Sequence, residues 1–145
     1  IVHALDGYDE ISLTGGFKLF TKKGDQLIQP EDIGQKKIEQ SAIFGGNSVA
    51  DAAKIFKTIL DGKGTDAQNN VVLTNAAFAL KVVEGTKSFE TCFEEAKEAL
   101  FSLKAKACLT YLLVCNIFST PGGNNSAKKF PEIIINNANR PIILP

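Results

Sequence analysis

The sequence predicts an α/β fold in which helices pack on a β-sheet. A glycine-bounded turn separates two short apolar-polar runs at residues 17–29, which is the pattern of a β-hairpin. Three longer stretches, at about 48–61, 67–84 and 88–113, carry apolar residues at helical spacing and begin or end at capping residues. A chain of 145 residues is long enough to bury one core.

The sheet is expected at the start of the chain. Residues 1–4 are apolar and β-branched, as at the end of a buried strand. Residues 17–22 form a second strand with Phe17 and Leu19 on one face, residues 23–25 a turn, and residues 26–29 the returning strand. Pro30 then starts a helical turn that Gly34 ends. The single histidine, His3, is interpreted as structural in preference to a general base.

The first long helix has a clear amphipathic pattern. Ser48 with Asp51 resembles a capping box, and Gly62 is the stop signal. Its apolar face is formed by Val49, Ala52, Ala53, Phe56, Ile59 and Leu60. The preceding Gly45–Gly46 pair could cradle a phosphate at the helix N-terminus. A flexible loop is favoured over that site, because the spacings of known phosphate loops are absent.

The second helix is apolar on nearly all sides, which predicts a central position in the core. Asn75 is its polar exception and is expected to need a buried partner. Ser88 caps a third helix, whose face of Phe89, Cys92 and Leu100 continues in pattern past Leu103. The expectation is one continuous helix to about residue 113.

Composition limits the function and the compartment. Acidic and basic residues balance at 16 each, which disfavours partners such as nucleic acid or an anionic membrane. The three cysteines form no CxxC pair, and Cys92 and Cys108 lie in apolar helical patterns, so a reduced, cytoplasmic chain is expected. No signal peptide or membrane-spanning run is visible. The chain begins with Ile and contains no methionine, which indicates a piece of a longer protein or a processed one.

Asp9 and Glu10 are the candidate metal ligands. They follow a glycine turn and precede a short apolar-polar run. Mg²⁺ is a hard ion that prefers carboxylate, phosphate and water oxygens. A pair of carboxylates in a loop fits such a site, although an adjacent Asp and Glu are more often solvated loop charges.

The motifs of residues 2–113, approximately, resemble those of the C-terminal part of anthranilate phosphoribosyltransferase. The stretches that carry the resemblance keep the family's order and spacing, and they are residues 6–12, 30–34, 45–62, 73–80 and 102–105. The resemblance implies transfer of a phosphoribosyl group from 5-phosphoribosyl diphosphate to anthranilate with magnesium, in tryptophan biosynthesis. It also implies a homodimer for the full-length enzyme, and it places this chain within the larger α/β domain, of the phosphoribosyltransferase and nucleoside-phosphorylase type.

Only the metal ligands are carried over from the family. Its magnesium-binding Asp-Glu pair matches Asp9 and Glu10. The family's glycine-rich diphosphate loop, Lys-His-Gly segment and anthranilate-binding arginine have no match here, so this chain alone is expected to be inactive. The family usually has Gly where Leu103 stands, which predicts either a strained turn or two fused helices.

The end of the chain does not share the resemblance. Residues 114–145 are rich in Asn, Ile and Pro, and we treat them as an atypical tail after a domain of residues 1–113. The bias suggests translation past a frameshift. Two other functions stay open: a non-catalytic α/β interaction domain that has lost the donor site, and a related pyrimidine nucleoside phosphorylase.

Overall fold

A three-stranded antiparallel sheet opens the chain. In the computed structural model, which describes residues 1–118, its strands lie in the order β1-β2-β3. The strands are β1 (Val2–Ala4), β2 (Phe17–Thr21) and β3 (Gly24–Ile28). The predicted strand at the start and the predicted hairpin are confirmed, and Phe17 and Leu19 both face the core.

The hairpin turn lies one residue earlier than predicted. Thr21 pairs with Gly24, which leaves Lys22 and Lys23 as the two connecting residues. The Thr21 hydroxyl accepts a hydrogen bond from the Lys23 amide at 3.1 Å and donates to the Gly24 carbonyl at 3.1 Å. Gly24 adopts a φ of 123°, which a side chain would oppose. The glycine therefore ends the turn instead of standing at its centre.

Within residues 1–118, four helices follow the sheet after two short 3₁₀ turns. The 3₁₀ turns are Pro30–Ile33 and Gln40–Ile43, and the helices are α1 (Val49–Leu60), α2 (Asp66–Glu84), α3 (Phe89–Phe101) and α4 (Lys104–Phe118). Residues 1–106 form one compact unit. Within residues 1–118, no helix combines the length and apolar character that crossing a membrane requires. The predicted boundary between a domain of residues 1–113 and a tail of residues 114–145 stays a prediction. Residues 119–145 lie outside the part of the chain that the structure describes.

Helix α2 is central, as its sequence predicts. Its Val71 belongs to the buried cluster of the sheet side, with Ala4, Ile11, Leu13 and Phe17. Phe78 extends this packing, since its ring lies 5.6 Å from Phe17 and 5.1 Å from Phe89 of α3. On the other side, Leu73 packs with Ala96 and Leu100 of α3. Helix α2 thus joins the sheet to α3.

Side-chain caps fix where the helices begin. Ser48, Thr65 and Ser88 each accept a hydrogen bond from the backbone amide three residues later. Ser48 is confirmed as the cap of α1, but Asp51 bonds the Ser48 hydroxyl and so does not complete a capping box. Thr65 and Gln68 do form a capping box, which starts α2 slightly earlier than predicted.

One prediction from an apolar pattern is wrong. Cys108 is exposed, so it is not a core cysteine, whereas Cys92 is buried. Helix α1 has the predicted amphipathic pattern, yet none of its residues is buried among the described residues. Phe56 is 53% exposed on its apolar face. A periodic pattern identifies a face, but a second element must lie against that face before it is buried.

The predicted continuous helix from 88 to 113 is also wrong. Helix α3 ends at Phe101 and α4 begins at Lys104, and the chain turns at Ser102 and Leu103. Leu103 has a φ of 64°, in the left-handed region. The Leu103 amide donates to the Leu100 carbonyl at 3.1 Å, which closes the end of α3. The sequence left two alternatives at Leu103, a strained turn or two fused helices. The strained turn is the one that forms.

Replacing Leu103 by glycine should stabilise the protein. A left-handed φ costs a non-glycine residue about 1 kcal/mol, and the Leu103 side chain is 44% exposed, so little packing is lost. We expect Leu103→Gly to raise the free energy of unfolding by about 0.5–1 kcal/mol in urea titrations. Leu103→Ala is the matched control, since it removes the side chain but keeps the strain; an equal gain for alanine would contradict this account.

An ion pair connects the end of α1 to the start of α4. The Lys106 ammonium donates to Asp61 Oδ1 at 2.6 Å. This hydrogen bond is the main reason that the pKa of Asp61 lies below its usual value of 3.8, and the positive charges of Lys106 and Lys63 act in the same direction. The group is at the surface, so its effect on stability is small.

The pair predicts a pH dependence. Because the folded-state pKa of Asp61 is depressed, its contribution to stability is present above about pH 4 and is lost as the pH falls through the folded pKa. Asp61→Asn should therefore lower the unfolding midpoint slightly at pH 7, and this difference should shrink as the pH falls below about 4. Urea titrations at a series of pH values measure this. A difference that did not shrink at all as the pH falls would show that Asp61 acts through something other than its charge.

Candidate metal site

The candidate site lies in residues 5–16, the loop that connects β1 to β2, which we call the carboxylate loop. The Leu5 amide donates to the Gly16 carbonyl at 3.0 Å and closes its base. At its start, the Ala4 amide donates to the Tyr8 carbonyl at 3.2 Å, and Gly7 turns with a φ of 93°. The chain therefore reaches Asp9 directly after a tight turn at the end of an edge strand.

Asp9 and Glu10 are both exposed in this loop. Among the described residues, neither carboxylate has a hydrogen-bond or ion-pair partner, so both oxygen pairs are free for a cation. Neither carboxylate is buried in a salt bridge, which is the arrangement that would indicate a structural role. Their role as metal ligands stays a prediction.

The donor set fits a metal that takes part of its ligands from elsewhere. Among residues 1–118, no group of three or more histidine, cysteine or acidic side chains is placed to hold a metal ion. Two carboxylates alone are too few for Ca²⁺ or for a closed Zn²⁺ site. Mg²⁺ is commonly held by one or two carboxylates together with substrate phosphates and water. The oxygens of Asp9 and Glu10 match that pattern.

A hydroxyl network that was not predicted from the sequence braces the loop that carries these carboxylates. Asp6 accepts hydrogen bonds from the hydroxyls of Ser12 and Thr14, the former at 3.2 Å. Ser12 in turn accepts from the Thr14 amide at 3.2 Å. Ser12 and Thr14 are buried at 2% and 8% exposure, so both hydroxyls need partners. The alternation of Ser12 and Thr14 after an acidic residue was the signal that could have shown it.

Two fully buried side chains anchor the far side of the loop. Ile11 and Leu13 are both 0% exposed and pack with Val71 of α2. Leu13 adopts a φ of 61°, which costs about 1–2 kcal/mol for a non-glycine residue. Burial of a leucine side chain contributes about 1.5–3 kcal/mol, which is enough to hold it there. The Leu13 carbonyl also accepts from the Ile38 amide at 3.0 Å.

Asn75 has the buried partner that its place in an apolar helix predicts. Its side-chain amide bonds both backbone groups of Ile11, accepting from the N–H at 3.0 Å and donating to the C=O at 2.8 Å. It also donates to the Val71 carbonyl at 2.9 Å. Asn75 therefore ties α2 to the residue that follows Glu10.

The other sequence candidates lie apart from this loop. His3 is exposed on β1, with no described side-chain hydrogen-bond partner, and its interpretation as a structural residue stays a prediction. Gly46 precedes α1 with a φ of 91°, and a Cβ there would overlap the Asp51 side chain. A structural reason therefore accounts for Gly46, and the loop interpretation of this glycine pair stands.

The sheet, the helix that packs on it and the carboxylate loop together form an α/β domain. The family model described as "Glycosyl transferase family, a/b domain" matches residues 1–106. The chain therefore belongs to this glycosyl transferase family. It is 44% identical over 116 residues to an anthranilate phosphoribosyltransferase of Bacteroides fragilis strain YCH46, an alignment that covers 80% of this chain and 35% of that protein.

Solved structures agree with the fold. The anthranilate phosphoribosyltransferase of Thermus thermophilus superposes with a TM-score of 0.67 at 26% identity, covering 78% of this chain and 34% of the other. The Saccharomyces cerevisiae enzyme, whose structure contains PRPP and Mg, gives a TM-score of 0.66 over 76% of this chain and 31% of the other. Its 21% identity supports the fold alone. This chain spans about a third of the length of the curated relatives that it matches.

Removing the Asp6 carboxylate should destabilise the protein. In Asp6→Ala the buried Ser12 and Thr14 hydroxyls both lose their acceptor. The two hydroxyls lie 2.8 Å apart and can bond each other, but one of their two hydrogens is then left unsatisfied, and an unsatisfied buried donor costs about 1–3 kcal/mol. We expect the free energy of unfolding to fall by about 1–2 kcal/mol in urea titrations. Asp25→Ala on the exposed hairpin is the control and should change it by less than about 0.5 kcal/mol. Equal effects of the two substitutions would contradict the bracing role of Asp6.

Proposed function

We propose that this chain is the part of an anthranilate phosphoribosyltransferase that carries its magnesium carboxylates, Asp9 and Glu10. The reaction would transfer the phosphoribosyl group of 5-phosphoribosyl diphosphate to anthranilate and release pyrophosphate. The observation that carries the proposal is a pair of exposed, unpaired carboxylates on a braced loop, within a chain of this family. The 44% identity to the Bacteroides fragilis enzyme supports the choice of reaction.

The chemistry explains why a chain of this kind needs two free carboxylates. The bond from the ribose C1 to the pyrophosphate oxygen breaks, and negative charge develops on the leaving oxygens. A magnesium ion, when bound, stabilises that charge as a Lewis acid. Asp9 and Glu10 would hold the ion on the donor diphosphate, and the neighbouring loop contacts would keep both carboxylates in place.

A chimeric enzyme tests the proposal. Residues 1–106 of this chain would replace the aligned segment of the Bacteroides fragilis enzyme, and anthranilate turnover with 5-phosphoribosyl diphosphate and Mg²⁺ would be measured. We expect the chimera to be active. Asp9→Asn with Glu10→Gln should lower kcat/KM by about 100-fold or more, because the leaving charge is no longer stabilised. The unfolding midpoint should stay the same, since exposed carboxylates contribute little to stability.

Two controls make the result specific. Asp25→Asn with Glu39→Gln changes the same residue types at exposed positions outside the loop and should leave turnover intact. The isolated 145-residue chain should show no turnover. Full activity of the Asp9/Glu10 double variant, with an unchanged magnesium requirement, would show that the site assignment is wrong. A folded but inactive chimera would favour the non-catalytic α/β domain.

A further inference from the structure

The side-chain amide of Asn75 is held in a single orientation. Its oxygen faces one donor, the Ile11 N–H, and its nitrogen faces two acceptors, the carbonyls of Ile11 and Val71. If the oxygen and the nitrogen exchanged places, the NH₂ group would face the Ile11 N–H and the oxygen would face the two carbonyls. None of the three hydrogen bonds could then form. Both amide hydrogens are used, so the three hydrogen bonds define one arrangement.

These bonds fix the backbone immediately after the carboxylates. The Ile11 N–H belongs to the peptide group that it shares with Glu10, so its hydrogen bond fixes the plane of the Glu10–Ile11 peptide. The Ile11 C=O belongs to the next peptide group, which the Asn75 nitrogen holds at 2.8 Å. Two consecutive peptide planes are thus bonded to one side chain, as a neighbouring strand would bond them.

The rest of the environment makes an asparagine an unusual choice here. The neighbouring α2 residues Val71 and Phe78 belong to the apolar packing of the sheet side, where a leucine would bury more apolar surface. A polar group in such surroundings is costly unless its hydrogen bonds are complete. Asn75 meets that condition only because Ile11 offers both of its backbone groups.

We propose that Asn75 is a positioning residue, which holds the Glu10–Ile11 backbone so that the Asp9 and Glu10 carboxylates are presented together to one divalent cation. The inference deepens the proposed function and rests on it. Without the clamp, the loop segment would have to be ordered when the cation binds, and that loss of conformational entropy would weaken binding. The cation and the diphosphate do not contact Asn75 in this account; it acts through the backbone.

The test uses the 145-residue chain labelled with ¹⁵N, in wild-type form and as Asn75→Ala. Asn70→Ala is the matched control, because Asn70 lies on the same helix, is half-buried and has no described side-chain hydrogen bond. In Asn75→Ala, the Ile11 amide should exchange with solvent about tenfold faster, since it loses its acceptor. In Asn70→Ala, the Ile11 exchange rate should be unchanged.

The second measurement on the same samples uses Mn²⁺ as the cation probe. Paramagnetic broadening of the Asp9 and Glu10 amide signals should need about tenfold more Mn²⁺ in Asn75→Ala than in the wild type or Asn70→Ala. Asp9→Asn with Glu10→Gln should abolish selective broadening. If Asn75→Ala does not fold, Asn75→Ser replaces it; the neutral serine hydroxyl can bond the Val71 carbonyl one turn earlier but is too short to hold both backbone groups of Ile11, so the same Mn²⁺ shift is expected.

The outcomes separate positioning from simple stability. If Asn75→Ala lowers the unfolding free energy but the Mn²⁺ dependence is unchanged, Asn75 is only a structural residue and the inference is overturned. Absence of selective broadening in the wild type would also overturn it, because there would be no cation site to position. An inactive chimera together with the expected Mn²⁺ shift would reject the transferase function while supporting the role of Asn75.

Discussion

The contact between the carboxylate loop and helix α2 is the interaction on which the described unit depends. Ile11 and Leu13 are fully buried against Val71, and Asn75 bonds both backbone groups of Ile11 one helical turn further along. The apolar part of this contact supplies most of the stabilisation, and the polar part supplies direction, because hydrogen bonds require a defined geometry. Sheet, loop and helix are joined at one place.

The same contact explains how one short loop can be rigid and still expose two charges. Its buried positions alternate with hydroxyl groups that bond Asp6, so the segment after Glu10 has almost no freedom. Asp9 and Glu10 lie just before that segment and are exposed. A carboxylate that must bind a cation has to stay solvated until binding, since burial would favour its neutral form. Exposed side chains on a fixed backbone keep the two carboxylates both solvated and in a defined position.

Local signals in the sequence were sufficient for α1, α2, the start of α3, the hairpin and the caps at Ser48 and Ser88, because each depends on residues within one or two turns. The sequence also showed that Asn75 needed a partner, but not that the partner was Ile11, which lies 64 residues away. Long-range pairs of this kind leave no spacing pattern. The prediction at Leu103 was ambiguous for another reason. Leucine has a high helical propensity, which favours one fused helix over a turn, and only the packing on either side decides between a fused helix and a turn.

Leu13 and Leu103 show how the same backbone conformation can have opposite significance. Both have a left-handed φ, at 61° and 64°. Leu13 is fully buried, so its side chain offsets the conformational cost and a glycine there would remove a core contact. Leu103 is 44% exposed and recovers little of that cost. Strain within the carboxylate loop is thus supported by the core that anchors the loop, whereas strain between α3 and α4 is a local defect without that support.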